Sequence, residues 1–471
     1  MGVDLAIVGS GGAAFAAAIA ARRKGRSVVM VERGVVGGTC VNTGCVPSKS
    51  LLVAAEARHV AVSANRFPGI HTTADQVVLA EVIAGKTALV REMRAQKYVD
   101  LAVEYGWEIL AGQAKFVAGP ALWVELTSGG GRRVDAEHYL IATGSAPCVP
   151  AIEGLGQIEY LTSATAMELT ELPRSLLVVG GNSIGLELGQ LFARLGTEVI
   201  VVELLGRVAP GEEPEISAAI EHVLTDEGIT LHTGAEVLSV RREQGQVVAV
   251  VADRPGRRRE IRADHVLVAT GRRPVTDGLG LEQMGVKVGD RGQVVVDEHL
   301  RTSHLRVWAA GDVTGYPQFV YVAGAHGALV VDNAFDEVSR MRDYRYLPRV
   351  TFTGPSIAAV GLTEDQARQQ GLDCECRVLR LEHVPRAIVD RDTRGLIKLV
   401  AERGTGRLVG AHVVAHGAGE VIATAVHALR QQMTVSEMAE LWCPYLTMTE
   451  GLKLAAQAFT RDVTTLSCCA S

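Results

Sequence analysis

One pattern occurs twice in this chain: an apolar strand, a glycine-rich turn, a helix, a second strand and an acidic residue. The first copy contains Gly9-Ser10-Gly11-Gly12-Ala13-Ala14 and reaches Glu32, and the second contains Gly180-Gly181-Asn182-Ser183-Ile184-Gly185 and reaches Glu203. The acidic residue follows the first glycine by 23 positions in both copies. Because such a segment folds as two parallel strands joined by a helix, the repeat predicts an α/β chain with two Rossmann-like units.

Each position of the repeated pattern has a physical reason. The first glycine allows the tight turn, the second lets the backbone approach a pyrophosphate at the helix N-terminus, and a small third residue lets the helix pack on the strand. The acidic residue accepts hydrogen bonds from a ribose. These positions are Gly9, Gly11, Ala14 and Glu32 in the first copy and Gly180, Asn182, Gly185 and Glu203 in the second, where Asn182 departs from the glycine pattern. Two such units predict a flavin together with a nicotinamide cofactor.

Charge and hydropathy narrow the class of protein. The chain has 471 residues, a formal net charge of −6 and 48% hydrophobic residues, which is ordinary for a globular enzyme. No basic run is long enough to predict nucleic-acid binding, and no apolar run reaches the roughly 18 residues of a membrane span. Because Met1 leads into the apolar segment Leu5–Val8 without a secretory signal, we expect a cytoplasmic protein whose cysteines are mostly reduced.

Two of the eight cysteines lie close together after the first unit, in Gly37-Gly38-Thr39-Cys40-Val41-Asn42-Thr43-Gly44-Cys45-Val46-Pro47-Ser48-Lys49. Pro47 favours a helix start, which would place Cys45 near a helix N-terminus, where a thiolate is stabilised. Lys49 adds a positive charge one turn later. Because four residues between Cys40 and Cys45 let the chain loop back, the pair meets the requirements of a reversible disulfide.

This thiol segment resembles the redox motif of the pyridine nucleotide-disulfide oxidoreductases, which include glutathione reductase, dihydrolipoamide dehydrogenase and mercuric reductase. The resemblance covers essentially the whole chain, and Trp308-Ala309-Ala310-Gly311-Asp312 is similar to the family's second FAD motif. It implies a glutathione reductase-like fold that binds FAD and NAD(P)H. The expected domains are FAD-binding over 1–149, NAD(P)H-binding over 150–276, a central domain completing the FAD site over 277–346, and an α+β dimerisation domain over 347–471.

The resemblance also implies roles for individual residues. Cys40 would be the interchange thiol that meets the substrate, and Cys45 the thiol that lies against the flavin. Lys49 would lie near flavin N5, paired with Glu187, and Asp312 would bind the ribityl chain. Further FAD contacts are implied for Gly9, Gly11, Ala14, Glu32, Gly34, Thr39, Ala114, Thr143 and Val320, and nicotinamide-nucleotide contacts for Gly180, Gly185, Glu203 and Gly271.

A tyrosine near the C-terminus distinguishes this chain from relatives that reduce organic disulfides. Those relatives carry a His-x-x-x-x-Glu arrangement, whereas here Glu450 is present but Tyr445 stands at the histidine position. Since an unperturbed tyrosine has a pKa of about 10, it exchanges protons poorly at neutral pH. Efficient reduction of an organic disulfide is therefore not expected.

The final segment, Leu466-Ser467-Cys468-Cys469-Ala470-Ser471, contains two adjacent cysteines. Neighbouring Cα atoms about 3.8 Å apart are too close for an unstrained disulfide, so Cys468 and Cys469 are expected to form a dithiol that captures a soft metal ion. Together with residues 444–457, this tail closely resembles the mercuric reductases. The resemblance implies Hg(II) ligands at Cys40, Cys45, Cys468 and Cys469, with Tyr98 and Tyr445 beside the metal.

The resemblance therefore implies NAD(P)H-dependent reduction of thiol-bound Hg(II) to Hg(0) for mercury detoxification. The form expected is a homodimer whose tails serve the partner's active site, without the N-terminal metal-binding domain of many relatives. Two alternatives are a dihydrolipoamide dehydrogenase-like disulfide reductase and a flavin-containing metal-binding protein without turnover. Of the other cysteines, Cys374 and Cys376 would point to one face of a strand, and we favour an ordinary structural role for them.

Overall fold

The first glycine-rich turn lies at the carboxyl end of an inner strand of a mixed seven-stranded sheet that helices cover. The structure is a computed structural model that describes residues 2–254, 256–315, 317–336 and 339–463. Up to residue 147 its elements are β1 (Val3–Val8), α1 (Gly12–Arg23), β2 (Val28–Glu32), α2 (Gly38–Asn42), α3 (Cys45–Val62), α4 (Leu79–Arg94), a π-helical turn (Ala95–Val99), α5 (Asp100–Tyr105), β3 (Glu108–Val117), β4 (Ala121–Leu126), β5 (Gly131–Val134), β6 (Ala136–Ile141) and β7 (Ser145–Pro147).

The strand order of this sheet brings distant parts of the chain together. It runs from a late strand, Val307–Ala309, through β6, β1, β2, β3 and β4 to β5; the pairs up to β3 are parallel and the last two are antiparallel. The central β1 is apolar and buried because helices cover it, and the alanines of α1 allow close packing. The carboxyl ends of β1 and β6 therefore meet at Gly9 and Ala142.

A second, parallel sheet carries the second glycine-rich turn. Its elements are α6 (Ser163–Ala166), β8 (Ser175–Val179), α7 (Ser183–Leu195), β9 (Glu198–Glu203), α8 (Pro214–Asp226), β10 (Thr230–Thr233), β11 (Glu236–Glu243), β12 (Gln246–Arg254), β13 (Arg257–Ala263), β14 (His265–Val268) and β15 (Arg272–Pro274). The parallel order is β10, β9, β8, β14, and β11 to β13 form an antiparallel meander. Strand β15 pairs antiparallel with β7, so the two connections between the units run side by side.

The remaining chain completes the first unit and then forms a third sheet. Its elements are β16 (Val307–Ala309), α9 (Val320–Phe335), β17 (Arg349–Thr351), β18 (Ser356–Gly361), α10 (Glu364–Gln369), β19 (Cys374–Arg380), α11 (Pro385–Val389), β20 (Leu396–Glu402), β21 (Leu408–Ala415), α12 (Ala418–Arg430), α13 (Val435–Glu440) and α14 (Glu450–Gln457). Helix α9 packs on α1, whereas β17, β18, β21, β20 and β19 form an antiparallel sheet in that order.

The α/β class with two Rossmann-like units and a C-terminal α+β unit is confirmed, whereas local boundaries differ from the sequence prediction. Helix α3 begins at Cys45 itself, two residues before Pro47, which occupies its third position. The segment 277–346 contributes β16 and α9 to the first unit, and the numerical domain limits stay predictions. Within the ranges that the structure describes, no helix combines the length and apolarity needed to cross a membrane.

Candidate active site

Two adjoining cavities contain most of the residues for which the sequence implied FAD contacts. The larger, of about 290 Å³, is lined by Gly11, Thr39, Cys45, Lys49, Asp312 and Val320. The smaller, of about 70 Å³, is lined by Gly9, Glu32, Ala114 and Thr143. Ala14 instead lies fully buried in α1, where its small side chain serves packing, and Gly34 donates its backbone N–H to Glu32 at 2.6 Å.

The backbone around the first glycine turn is packed so closely that side chains do not fit at two of its glycine positions. Gly9 has a φ of +105°, and a Cβ there would collide with the carbonyl of Ala142. A Cβ on Gly38 would lie 2.6 Å from the Cα of Gly11. Because Glu32 also accepts a 2.5 Å hydrogen bond from Ser10, the turn, the acidic residue and the thiol segment form one connected cradle. These residues fit FAD, with its pyrophosphate at the N-terminus of α1.

The two thiols at the end of this cradle are electronically unequal. Each of the six cysteines that the structure describes is a free thiol, and the Cys40 thiol donates a hydrogen bond to Cys45. That hydrogen bond lowers the pKa of Cys45 to about 7, opposed by burial and assisted by the charge of Lys49, and it raises the pKa of Cys40. Since Cys45 is the first residue of α3, the helix dipole also favours its thiolate. Cys45 is therefore the more acidic thiol of the pair, and the one that forms the thiolate.

Lys49 is held by the acidic residue that the sequence paired with it. Its Nζ lies 2.7 Å from Glu187 Oε2, and Glu187, buried on α7, also accepts a 2.9 Å hydrogen bond from the backbone N–H of Phe352. The Phe352 ring lies 4.4 Å from Lys49 Nζ, a cation–π distance. Lys49 therefore has a fixed position beside the thiols, set by contacts from two other parts of the chain.

Tyr98 lies close to the thiol pair, although it is far from it in sequence. It belongs to the π-helical turn Ala95–Val99, and its ring packs edge-on against Phe15 with centroids 4.8 Å apart. Burial raises the pKa of Tyr98, and the neighbouring Cys40 and Cys45 raise it further. Tyr98 therefore provides a neutral hydroxyl group near both sulfurs. The π-helical turn that carries it is of a kind often found at functional sites.

A polar network that the sequence analysis missed holds Asp312. Ser145 donates a 2.7 Å hydrogen bond to Asp312 Oδ2, while Arg272 donates to the Ser145 hydroxyl at 2.8 Å and to its carbonyl at 2.6 Å. Behind it, His326 accepts a 3.2 Å hydrogen bond from the N–H of Gly311, and burial lowers the pKa of His326 to about 4. The sequence holds one sign of this network, because Ala-Thr-Gly occurs twice, at residues 142–144 and 269–271, and Ser145 and Arg272 are the residues that directly follow.

The second glycine turn accommodates its unusual asparagine without strain. Asn182 has extended backbone, caps α7, and accepts a 2.9 Å hydrogen bond from the N–H of Ser183. Glu203 accepts hydrogen bonds from the N–H groups of Gly181 at 2.6 Å and Leu205 at 2.8 Å. The turn glycines Gly180 and Gly271 both have positive φ, and Gly185 packs against Gly180. This arrangement fits a dinucleotide with its ribose at Glu203.

Tyr445 and Glu450, the C-terminal residues implied at the active site, do not line the thiol cavity of their own chain. Tyr445 is about half exposed and Glu450 is buried, where it accepts a 3.2 Å hydrogen bond from the N–H of Leu446. Neither lines the cavity that contains Cys40 and Cys45. Cys468 and Cys469 lie outside the described residues.

Sequence comparison finds relatives along the full length of the chain. Residues 3–327 match the family described as pyridine nucleotide-disulphide oxidoreductase, and residues 347–456 match its dimerisation domain. The mercuric reductase of Streptomyces lividans is 60% identical over 469 residues, which are 100% of this chain and 98% of that protein. The mercuric reductase of Staphylococcus aureus is 47% identical over 467 residues, covering 99% of this chain and 84% of that protein.

Solved structures of lower identity share the same architecture. The Cu(II) complex of RclA, a HOCl-induced flavoprotein disulfide reductase from Escherichia coli, superposes with a TM-score of 0.87 at 29% identity, covering 97% of this chain and 99% of that one. LpdA from Mycobacterium tuberculosis superposes with a TM-score of 0.87 at 26% identity, covering 98% and 100%.

Proposed function

The chain belongs to the pyridine nucleotide-disulphide oxidoreductase family, and from that premise we propose that it reduces Hg(II) to Hg(0) with electrons from NAD(P)H, as a mercury detoxification enzyme. One observation carries the proposal above the others. An asymmetric thiol pair, Cys40 and Cys45, lies at a dinucleotide cavity in a chain that is 60% identical to a mercuric reductase over its whole length. Hg(II) is a soft ion that thiolates bind strongly.

The residues around the larger cavity would bind the cofactor and stabilise the negative charge that develops in the reaction. FAD, when bound there, passes electrons from NAD(P)H to the thiol pair. Asp312, fixed by Ser145 and Arg272, would accept hydrogen bonds from the ribityl hydroxyls, and Glu32, oriented by the N–H of Gly34, would accept them from the adenosine ribose. Lys49 supplies a fixed positive charge beside Cys45, so that negative charge developing at this end of the cavity is stabilised.

The two thiols receive the metal by ligand exchange. Cys40, the interchange thiol, attacks a thiol-bound Hg(II), and Cys45 displaces the second incoming ligand, so the metal ends between two protein sulfurs. The ligand displaced by Cys40 leaves as a thiol with the proton of that cysteine, and the ligand displaced by the Cys45 thiolate leaves as a thiolate. Transfer of two electrons to Hg(II) then gives Hg(0), which has little affinity for thiolates and departs. The neutral hydroxyl of Tyr98, near both sulfurs, would support the metal without adding charge.

The C-terminal segment completes the site from the partner subunit. Because Tyr445 and Glu450 do not line the thiol cavity of their own chain, we place them at the cavity of the partner in a homodimer formed through residues 347–456. The tail thiols Cys468 and Cys469 would then hand Hg(II) to Cys40 by stepwise exchange, so that the ion is never free. A reducing compartment such as the cytoplasm keeps this dithiol available.

Turnover with two kinds of substrate tests the proposed function. NAD(P)H oxidation is followed by absorbance with Hg(II) in excess small thiol and, separately, with lipoamide or glutathione disulfide, while Hg(0) vapour is trapped. We expect oxidation that depends on Hg(II) and yields Hg(0), and little reaction with the disulfides because Tyr445 replaces a histidine. Cys45→Ser should abolish turnover, whereas Cys148→Ser, the matched control, should not. Rapid reduction of a disulfide without Hg(0) would contradict the proposal and favour a disulfide reductase.

A further inference from the structure

A second pair of thiols lies in the C-terminal unit, far along the chain from the redox pair. Cys374 and Cys376 are the first and third residues of β19, the edge strand of the five-stranded sheet. Side chains two residues apart on a strand project to the same face, and both cysteines belong to the small cluster that includes Ala367 and Val400. Cys374 is buried and Cys376 is partly exposed, so a ligand can approach the pair through Cys376.

Both thiols converge on Glu364, the first residue of α10. The Cys374 sulfur lies 4.0 Å from the Glu364 carbonyl oxygen, and burial, together with the negative charge of the nearby Glu364 carboxylate, raises the pKa of the Cys376 thiol. The two thiols are also close enough to each other that negative charge on Cys374 disfavours the thiolate of Cys376. The two thiols therefore lie beside the same acidic residue at the sheet edge.

We propose that Cys374 and Cys376 form a second Hg(II) site that is separate from the redox pair. The proposal rests on Hg(II) being the substrate of the enzyme. Hg(II) prefers two soft sulfur ligands, and two thiols on one face of one strand supply them without a change of fold. In the exchange, both Hg–S bonds of the incoming thiol complex break, two Hg–S bonds to Cys374 and Cys376 form, and the two displaced ligands leave carrying the protein thiols' protons. No electrons move.

Hg(II) held at this second site is not reduced there. Cys40 and Cys45 line the cavity that fits FAD, whereas Cys374 and Cys376 do not. Hg(II) bound by Cys374 and Cys376 therefore does not turn over. This second site fills when Hg(II) exceeds the amount that the redox pair can reduce.

Hg(II) bound at the second site should also affect the use of the nicotinamide nucleotide. Glu364 is an ion-pair partner of the buried Lys398, at 3.0 Å, and Lys398 also binds Glu213 at 3.0 Å and Glu215 at 2.9 Å. Glu213 ends the loop that follows Glu203 and accepts a hydrogen bond from the N–H of Glu364 at 2.6 Å. Because the Glu364 carboxylate lies near Cys376 and holds Lys398, we expect Hg(II) bound to Cys376 to disturb the network that fixes this loop, so that excess Hg(II) slows the use of NAD(P)H.

Mercury stoichiometry in cysteine variants tests the second site without turnover. The full-length, FAD-loaded protein with Cys40, Cys45, Cys468 and Cys469 all replaced by Ser is incubated with HgCl2 and a small thiol, desalted, and analysed for mercury by atomic absorption. About one Hg(II) per chain is expected, because two thiolates bind one ion. The added change Cys376→Ser should remove it, whereas Cys148→Ser with Cys443→Ser, the matched control, should leave it in place.

Three results would overturn the second site: no mercury in the background protein, mercury retained after Cys376→Ser, or mercury lost in the Cys148 and Cys443 control. FAD absorbance and circular dichroism establish that each variant is folded, and Cys374→Ser provides an independent repeat of the test. In enzyme with intact catalytic thiols, Cys376→Ser should also relieve the fall in rate at high Hg(II). Absence of Hg(0) production by the unmodified enzyme would instead contradict the proposed function, which the binding measurement does not depend on.

Discussion

Removing the thiol of Cys40 should raise the pKa of Cys45. The pKa of Cys45 is about 7 against an ordinary 9.0, and the hydrogen bond from Cys40 is the largest cause, ahead of the charge of Lys49. Cys40→Ala removes the donor and keeps Lys49, so the pKa should move towards 9. In that limit the thiolate fraction at pH 7 falls from about one half to about 1%, a loss of about fifty-fold.

The long-wavelength charge-transfer absorbance between the Cys45 thiolate and oxidised FAD reports this pKa directly. The band is titrated with pH in Cys40→Ala and in Cys40→Ser, the matched control whose hydroxyl still donates a hydrogen bond. We expect the Ser variant to titrate near 7 and the Ala variant at clearly higher pH. Equal titration midpoints in the two variants would refute the role given to the Cys40 hydrogen bond, and loss of the band in both would mean that the thiol next to the flavin is misassigned.

Three further outcomes follow from the site. Cutting the chain before Cys468 should leave FAD bound but sharply slow turnover of thiol-complexed Hg(II), and mixing that chain with a Cys40→Ser chain should restore activity in heterodimers; inactive heterodimers would contradict exchange between subunits. Glu203→Ser should shift the ratio of kcat/KM towards NADPH by about tenfold, equivalent to 1.4 kcal/mol, because a carboxylate there repels a 2′-phosphate, and an unchanged ratio would count against that role. The pKa of His326 is about 4 when folded and ordinarily 6.5, so the unfolded chain binds the proton first as pH falls, and stability is lost between pH 6.5 and 4 by up to about 3 kcal/mol. Thermal unfolding at pH 7.5 and 5 should therefore show a smaller pH dependence in His326→Asn than in the unmodified protein, and equal dependence would exclude His326 as the cause.

Local patterns in the sequence predicted the parts of the site that local chemistry determines. The spacing from Gly9 to Glu32 predicted both the strand–turn–helix unit and the acidic residue at its end, because a Rossmann-like unit needs both at fixed distances. The thiol motif predicted a helix near Cys45 but placed its start by Pro47, although the chain turns helical two residues earlier.

Apart from the Lys49–Glu187 pair, which the family resemblance implied, contacts between distant segments were beyond the reach of the sequence. The matching segments before Ser145 and Arg272 do not indicate that Ser145 joins Arg272 to Asp312, since the three residues meet only after two strands pair across the connections between the units. The backbone N–H that Phe352 donates to Glu187 likewise comes from a loop of the C-terminal unit. Such contacts depend on tertiary packing, which one sequence without its fold does not specify.

The late strand of the first sheet has a consequence for how the protein is made. Strand β6 ends at Ile141, but β16, its neighbour in the sheet, begins only at Val307. During synthesis at about 5–20 residues per second, the open edge of β6 therefore waits roughly ten to thirty seconds for its partner. An apolar, unpaired strand edge invites association with other chains, so slow translation or a stop before Val307 should send nascent chains into aggregates before they can hold FAD.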